Sequence, residues 1–226
     1  MKLRRLIALL AAMAMAMLPA AHAAADEAPF TEDPSAMERA AASVVKLEVY
    51  DSRDVKIGTG TGFCAFSPEL LVTAAHVIVN MEYMIATRDD GTTFRIDRAI
   101  DGDAASDIAL CALPKDAGLA PLPVEEGAPL RGEKIAAVGS HFGVTNLITL
   151  GNVCGRWHAG NVLWLLFTVP VSGGCSGGPI LNGKGNVIGV ITATYDDGQN
   201  LNVAAPIAEA ERIERTVNGL EETGNE

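Results

Sequence analysis

The chain has 226 residues, 49% hydrophobic and 20% charged, which places it among globular proteins and leaves room for one large domain or two small ones packed together. Aromatic residues make up only 5%, so aliphatic side chains must fill the core. A formal net charge of −11 without any local basic patch argues against partners that are nucleic acids or anionic lipids.

The first segment is set apart from the fold. "MKLRR" is basic, "LIALLAAMAMAML" is apolar, and Ala21 and Ala23 form a small-x-small pattern. This is the layout of a secretory signal peptide over residues 1–23, cut after Ala23 or within the next two alanines. The alternative is a retained anchor, because Leu6 to Ala25 nearly reaches the ~20 residues a membrane span needs. Pro19 and His22 interrupt that stretch and favour cleavage, and no cysteine sits near the cut to mark a lipoprotein. Cleavage removes Lys2, Arg4 and Arg5, deepening the charge to −14. It predicts an exported protein, periplasmic or secreted, with no stable membrane insertion. In an oxidising compartment Cys64, Cys111, Cys154 and Cys175 could form up to two disulfides, in any of three pairings. They lack C-x-x-C spacing and no histidine stands at ligand distance, so neither a metal site nor a cofactor is expected.

Residues 24–42 form a polar lead-in with about one helical turn after Pro34. Short β-type runs follow over 43–113: "SVVKLEVY", "IGTGTGFCAF", "ELLVTAAHV", "YMIATRD", "TFRIDRAI" and "DIALCAL". Residues 114–132, with four prolines, read as a connector. A second set spans 133–205: "EKIAAVGS", "NLITLGNVCG", "NVLWLLFTVPV", "GPILN", "VIGVITATY" and "LNVAAP". Two successive sets of six strands predict an all-β protein of two six-stranded antiparallel barrels packed on each other. A short C-terminal helix follows over 206–220, with Ile207, Ala210, Ile213, Val217 and Leu220 at helical spacing. It is expected to pack on the second barrel, ahead of a tail at 221–226.

Three stretches carry chemistry. In "LLVTAAHVI" an apolar strand runs into small residues and then His76; such a histidine can be merely structural, but a catalytic imidazole needs a rigid strand and small neighbours. In "DAASDIALCAL", Asp107 opens an apolar strand, as a turn or cap residue often does. As a catalytic group it would accept the His76 Nδ1–H and fix the tautomer. Asp101 and Asp103 lie nearby but open no strand. In "GGCSGGP", glycines 173, 174, 177 and 178 allow a tight turn with converging N–H groups, which an oxyanion hole requires. The bland reading is a glycine-rich hairpin loop. The order His76, Asp107, Ser176 within a two-barrel strand pattern favours the catalytic reading.

These segments resemble the trypsin-like (chymotrypsin-fold) serine peptidases, and among them the HtrA/Deg type. The resemblance covers roughly residues 43–210. "GTGTGFCAFSPELLVTAAHVI" is similar to the family's G-S-G-F…T-x-x-H-V segment and "SDIALCAL" to its T-D-I-A-L strand. "AVGSHFGVTNLITLGNVCG" is similar to G-x-P-F-G…T-x-G-x-V, and "GGCSGGPILNGKGNVIGVITA" to N-S-G-G-P-L…G-x-V-I-G-I. The resemblance implies a serine endopeptidase with its active site in a cleft between the barrels, acting on protein or peptide substrates. Ser176 would be the nucleophile, His76 the base and Asp107 its orienting group, with Gly174 and Ser176 N–H groups as oxyanion donors. It also implies a quality-control role for unfolded proteins, with a dedicated processing role equally open, and homo-oligomers as a family habit that leaves the state of this chain undetermined.

The chain departs from the family in three ways. Cys175 stands where Asn or Asp is usual, no "IVGG"-like start follows the leader, and no PDZ-type module is expected after residue 210. Counting from Ser176 places Pro170 at the base of the specificity pocket, with Thr192, Ala193 and Thr194 as the opposite wall. A neutral, narrow pocket of this kind favours small aliphatic residues before the cut. Two other readings are a catalytically silent binding protein that keeps the barrels, and a thiol-dependent protein acting or switching through Cys175, for instance bonded to Cys154. The S-G-G-P register favours Ser176 as nucleophile. Shifting the role to Cys175 would put a side chain in the following slot, where this turn has glycine.

Overall fold

The computed structural model describes residues 30–194 and 200–223, so the expected leader at 1–23 lies outside the described residues. Among them no helix is long and apolar enough to cross a membrane. Asp33 starts α1 (Pro34–Ala41), its Oδ1 accepting the N–H groups of Ser35 and Ala36 at 2.9 and 3.2 Å with Pro34 in the first turn. The turn expected after Pro34 is therefore an eight-residue helix. Its end is tied down by Asn146, whose Nδ2 donates to the carbonyls of Ala41 and Val44.

The first unit is an antiparallel sheet of β1 (Val44–Tyr50), β2 (Lys56–Cys64), β3 (Leu70–Ala74), β4 (Tyr83–Thr87), β5 (Thr93–Ile96), β6 (Ala99–Asp103) and β7 (Ile108–Ala112). Its order is β5-β4-β1-β2-β3-β7-β6. It has one strand more than the six expected and curls as a half-barrel, because the "TFRIDRAI" run breaks into β5 and β6 at opposite edges. In β1, Leu47 and Val49 are fully buried while Lys46 and Glu48 stay half-exposed, the period-2 pattern of a one-sided strand. β3 and β7 are apolar but for Thr73 and are buried on both faces.

The second unit is a closed six-stranded barrel in the order β10-β13-β12-β11-β8-β9. Its strands are β8 (Lys134–His141), β9 (Val144–Ala159), β10 (Val162–Phe167), β11 (Pro179–Leu181), β12 (Val187–Thr194) and β13 (Asn202–Pro206). Between the units, the connector contributes buried Leu119 and Leu122, and it bridges Ala65 of the first unit to Leu122 and Val187 of the second to Val124.

The helix α2 (Ile207–Thr223) follows β13 directly. It does not sit on the second barrel alone. Ile207, Ala210 and Ile213 share one core with Leu70, Val72, Ile108 and Leu110 of the first sheet and Val187, Val190 and Ala205 of the barrel. Arg212 adds an ion pair to Asp103 of β6 at 2.5 Å. The helical stripe therefore closes the seam between two sheets that each leave an apolar flank uncovered. Ile213 is 3% exposed, and Ile213→Ala is expected to destabilise the whole chain by about 2–5 kcal/mol in urea unfolding, in a single transition that involves both units.

Candidate functional site

Antiparallel pairing of β3 with β7 sets Ala74 opposite Ile108 at the ends of the two strands. The next residues, Ala75–His76 and Asp107, therefore meet just beyond the sheet. Asp107 takes a left-handed backbone (φ 55°), a costly conformation for a residue with a Cβ. Three bonds hold it there. Its carbonyl accepts the Ala75 N–H at 3.1 Å, Oδ1 accepts the His76 N–H at 2.9 Å, and Oδ2 lies 2.8 Å from His76 Nδ1. The Asp107 side chain is 14% exposed and that of His76 48%, so the carboxylate is sheltered while the ring keeps an edge toward solvent. The hydrogen bond to Asp107 raises the His76 pKa above its ordinary value of 6.5; partial burial opposes this and the charge of Asp107 adds to it.

The 173–178 turn belongs to the second unit but docks on the first. The Ser176 carbonyl accepts the N–H of Thr61 in β2 at 2.8 Å. At Gly177 (φ 87°) a Cβ would collide with the Thr61 carbonyl and Thr73 Oγ1, and would lie 2.9 Å from the N of Ala74, two residues before His76. At Gly174 (φ 101°) a Cβ would collide with the Ser140 carbonyl. Both positions therefore need glycine, for conformation and for space alike. The Gly173 carbonyl accepts the Phe142 N–H at 3.3 Å, and since a trans peptide points its C=O and N–H oppositely, the Gly174 N–H faces away from Phe142. Among the described residues neither the Gly174 nor the Ser176 N–H donates to a protein acceptor. Both N–H groups of this turn are thus unspent among the described residues.

Cys175 is 1% exposed, packs directly on Gly139 and belongs to the core of the second barrel. Burial pushes its thiol pKa up, so the reactive thiolate is disfavoured. All four cysteines are free, and the Cys154–Cys175 bond considered above is not formed. Cys64 and Cys111 are buried thiols pushed up to about 11 and about 12 by desolvation, which suits small hydrophobes rather than nucleophiles.

Thr192, Ala193 and Thr194 lie together at the end of β12, with Thr192 half-buried and Ala193 exposed. Pro170 lies in the segment after β10, its carbonyl accepting from Thr149 Oγ1 at 3.1 Å. Thr194 pairs with Asn202, whose Nδ2 donates to the Val169 carbonyl at 2.7 Å, so Asn202 links the end of β12 to the segment that carries Pro170.

Four further residues shape the turn without standing out in the sequence. Fully buried Thr61 donates its hydroxyl to the Gly174 carbonyl at 2.7 Å and accepts the Ser140 N–H at 3.0 Å, while Thr73 Oγ1 donates to the Thr61 carbonyl at 2.7 Å. His141 Nδ1 lies 2.8 Å from Ser172 Oγ. A threonine within "GTGTG" looks like an ordinary strand residue; only its partners, 79 and 113 residues away, reveal what it holds.

The Trypsin-like peptidase domain model matches residues 60–190, which contain all of these groups except those at the end of β12 and in β13. The chain belongs to the trypsin-like peptidase family. It is 31% identical over 176 residues to the serine protease HTRA1 of Xenopus tropicalis and 33% identical over 176 residues to HTRA1B of Danio rerio, in each case over 72% of this chain. It spans only 38% and 37% of those relatives' lengths. Among solved structures, the HtrA-type protease AlgW with a tripeptide superposes with a TM-score of 0.72 at 21% identity, covering 80% of this chain and 62% of that one. The serine endoprotease from Yersinia pestis gives 0.70 at 21%, covering 82% and 68%. At these identities the structural likeness establishes a shared fold.

In this trypsin-like fold Thr61 joins the two units at the turn. Thr61→Val keeps the shape but leaves the Gly174 carbonyl and the Ser140 N–H unpaired. It is expected to cost about 1–3 kcal/mol in urea unfolding, with Thr61→Ser restoring most of the loss.

Proposed function

We propose that this chain is a serine endopeptidase in which His76, Asp107 and Ser176 act as the catalytic triad. The observation that carries the reading is the double clasp of Asp107 on the His76 N–H and ring, beside a serine turn docked on Thr61 and Ala74. Ser176 Oγ attacks the scissile carbonyl while His76 takes its proton. The same imidazolium then protonates the leaving amine, and water later releases the acyl group by the reverse sequence. Asp107 accepts the Nδ1–H, holds that tautomer and stabilises the imidazolium. The free N–H groups of Gly174 and Ser176 receive the oxyanion, a contribution of roughly 3–4 kcal/mol per donor in such sites. No step requires a metal or an organic cofactor. The relatives named as serine proteases support the reaction class, and the tripeptide bound to AlgW supports a peptide ligand.

The proposed substrate pocket between Pro170 and Thr192, Ala193 and Thr194 has no charged wall, which supports cleavage after small aliphatic residues in exported, unfolded or processed proteins. Casein digested by the exported protein is expected to show cuts after Ala, Val, Ile or Leu in mass spectra, and none with Ser176→Ala. The same spectra are expected to place the protein's own first residue at 24–26. Cuts chiefly after Arg, Lys or Glu would sink the pocket assignment, and activity surviving in Ser176→Ala would sink the nucleophile.

The pH dependence follows from His76. Only the neutral ring accepts the serine proton, and its pKa is raised, so on acidification activity begins to fall while the pH is still above ~6.5. A pH profile of kcat/KM is expected to show this acid limb. In Asp107→Asn the limb should move down, because burial alone depresses an imidazole pKa, while kcat falls by about 10⁴-fold, the loss known for the corresponding change in this peptidase class.

A further inference from the structure

A cavity of about 620 Å³ lies on the first unit between the β1–β2 turn and the segment that follows His76. Its walls include Ile57, Val79, Arg53 and Glu82. Val79 is 60% and Ile57 42% exposed, so two aliphatic side chains of the same cavity face solvent where nothing among the described residues covers them.

The cavity lies on two segments that lead directly out of the proposed active site. Val79 is three residues beyond His76. Ile57 is three residues before Gly60, where a Cβ would touch Val77 and come 3.2 Å from the Ser176 carbonyl. Three strand residues span about 10 Å, which is also the reach of the second or third residue of an extended peptide. The pocket proposed for the acyl side belongs to the second barrel. A substrate laid across Ser176 from that barrel therefore carries its leaving segment past His76 onto the first unit and toward Ile57 and Val79.

The charges in the walls are unequal. Arg53 is spent on Asp51, with Nε and an Nη bonding Oδ2 at 3.0 and 2.7 Å. The Glu82 carboxylate has no ion-pair or hydrogen-bond partner among the described residues; only its main-chain N–H is engaged, by the Tyr50 carbonyl. An aliphatic surface ending at an unpaired carboxylate fits a lysine or arginine, whose methylene stem covers apolar surface while its head stays in water.

Building on the peptidase reading above, we propose that this cavity is a substrate subsite that selects a basic residue two or three positions after the cleaved bond. The stem of that residue lies on Ile57 and Val79, and its cation meets Glu82. Because the pair is solvent-exposed, its contribution is modest and sensitive to salt.

The test uses peptides with one fixed acyl side and Lys, Ala or Glu at each of the first four positions after the cut. For wild type we expect kcat/KM about three- to fivefold higher for Lys than for Ala at position two or three, lower for Glu, and a narrowing of these differences in 1 M salt. Glu82→Gln should remove the preference, Glu82→Lys should invert it, and both should leave the all-Ala peptide unchanged. Equal rates for Lys and Glu in wild type, or a preference that survives in Glu82→Gln, would overturn the subsite. Labelling of Ser176 by a fluorophosphonate, which has no leaving peptide, separates the two readings. Labelling without a Lys preference rejects the subsite alone, and absence of labelling rejects the peptidase reading and the subsite with it.

Discussion

One register governs the site: Ala74 opposite Ile108 in the β3–β7 pair. Because both strands are buried on both faces, a slip by one residue would misplace every side chain they carry, so the register is held by the core itself. Held that way, the strand ends can keep Asp107 in a left-handed backbone and spend three hydrogen bonds on Ala75 and His76. The strain is local, and the rigid pair beneath it bears the cost.

A second constraint joins the two units. Thr61 sends its N–H to Ser176 and its hydroxyl to Gly174, so a strand of the first sheet holds two peptide groups of a turn that belongs to the barrel. Phe142 and Ser140 support the same turn from the barrel side. Together they leave the Gly174 and Ser176 N–H groups unspent, which is the state an anion-binding turn must have before any ligand arrives. α2 also secures the arrangement, because its apolar stripe contacts both units at once.

The neighbouring Cys175 and Ser176 show how environment separates two residues that look equivalent in the chain. Burial at 1% exposure, contact with Gly139 and a thiol held toward its protonated form make Cys175 part of the barrel core. Ser176 stays half-exposed on the outer side of the same turn. The turn decides which side chain is buried and which stays accessible.

Strand patterning, the proline-rich connector and the helical stripe of 207–220 made the two-unit β architecture legible in the sequence, because alternation and turn chemistry are local signals. His76, Asp107 and the glycines around Ser176 stood out in the sequence as candidates, since each stands at a strand end or in a turn whose residue types are unusual. Other features depended on contacts far apart in the chain. The splitting of one expected strand into the two edges of an open sheet, α2 bridging both units, Thr61 as the junction and the cavity beside Val79 all arise from partners that only folding brings together. Residue spacing encodes what a segment can become by itself; which buried hydroxyl meets which carbonyl is set when two independently patterned sheets are packed against each other.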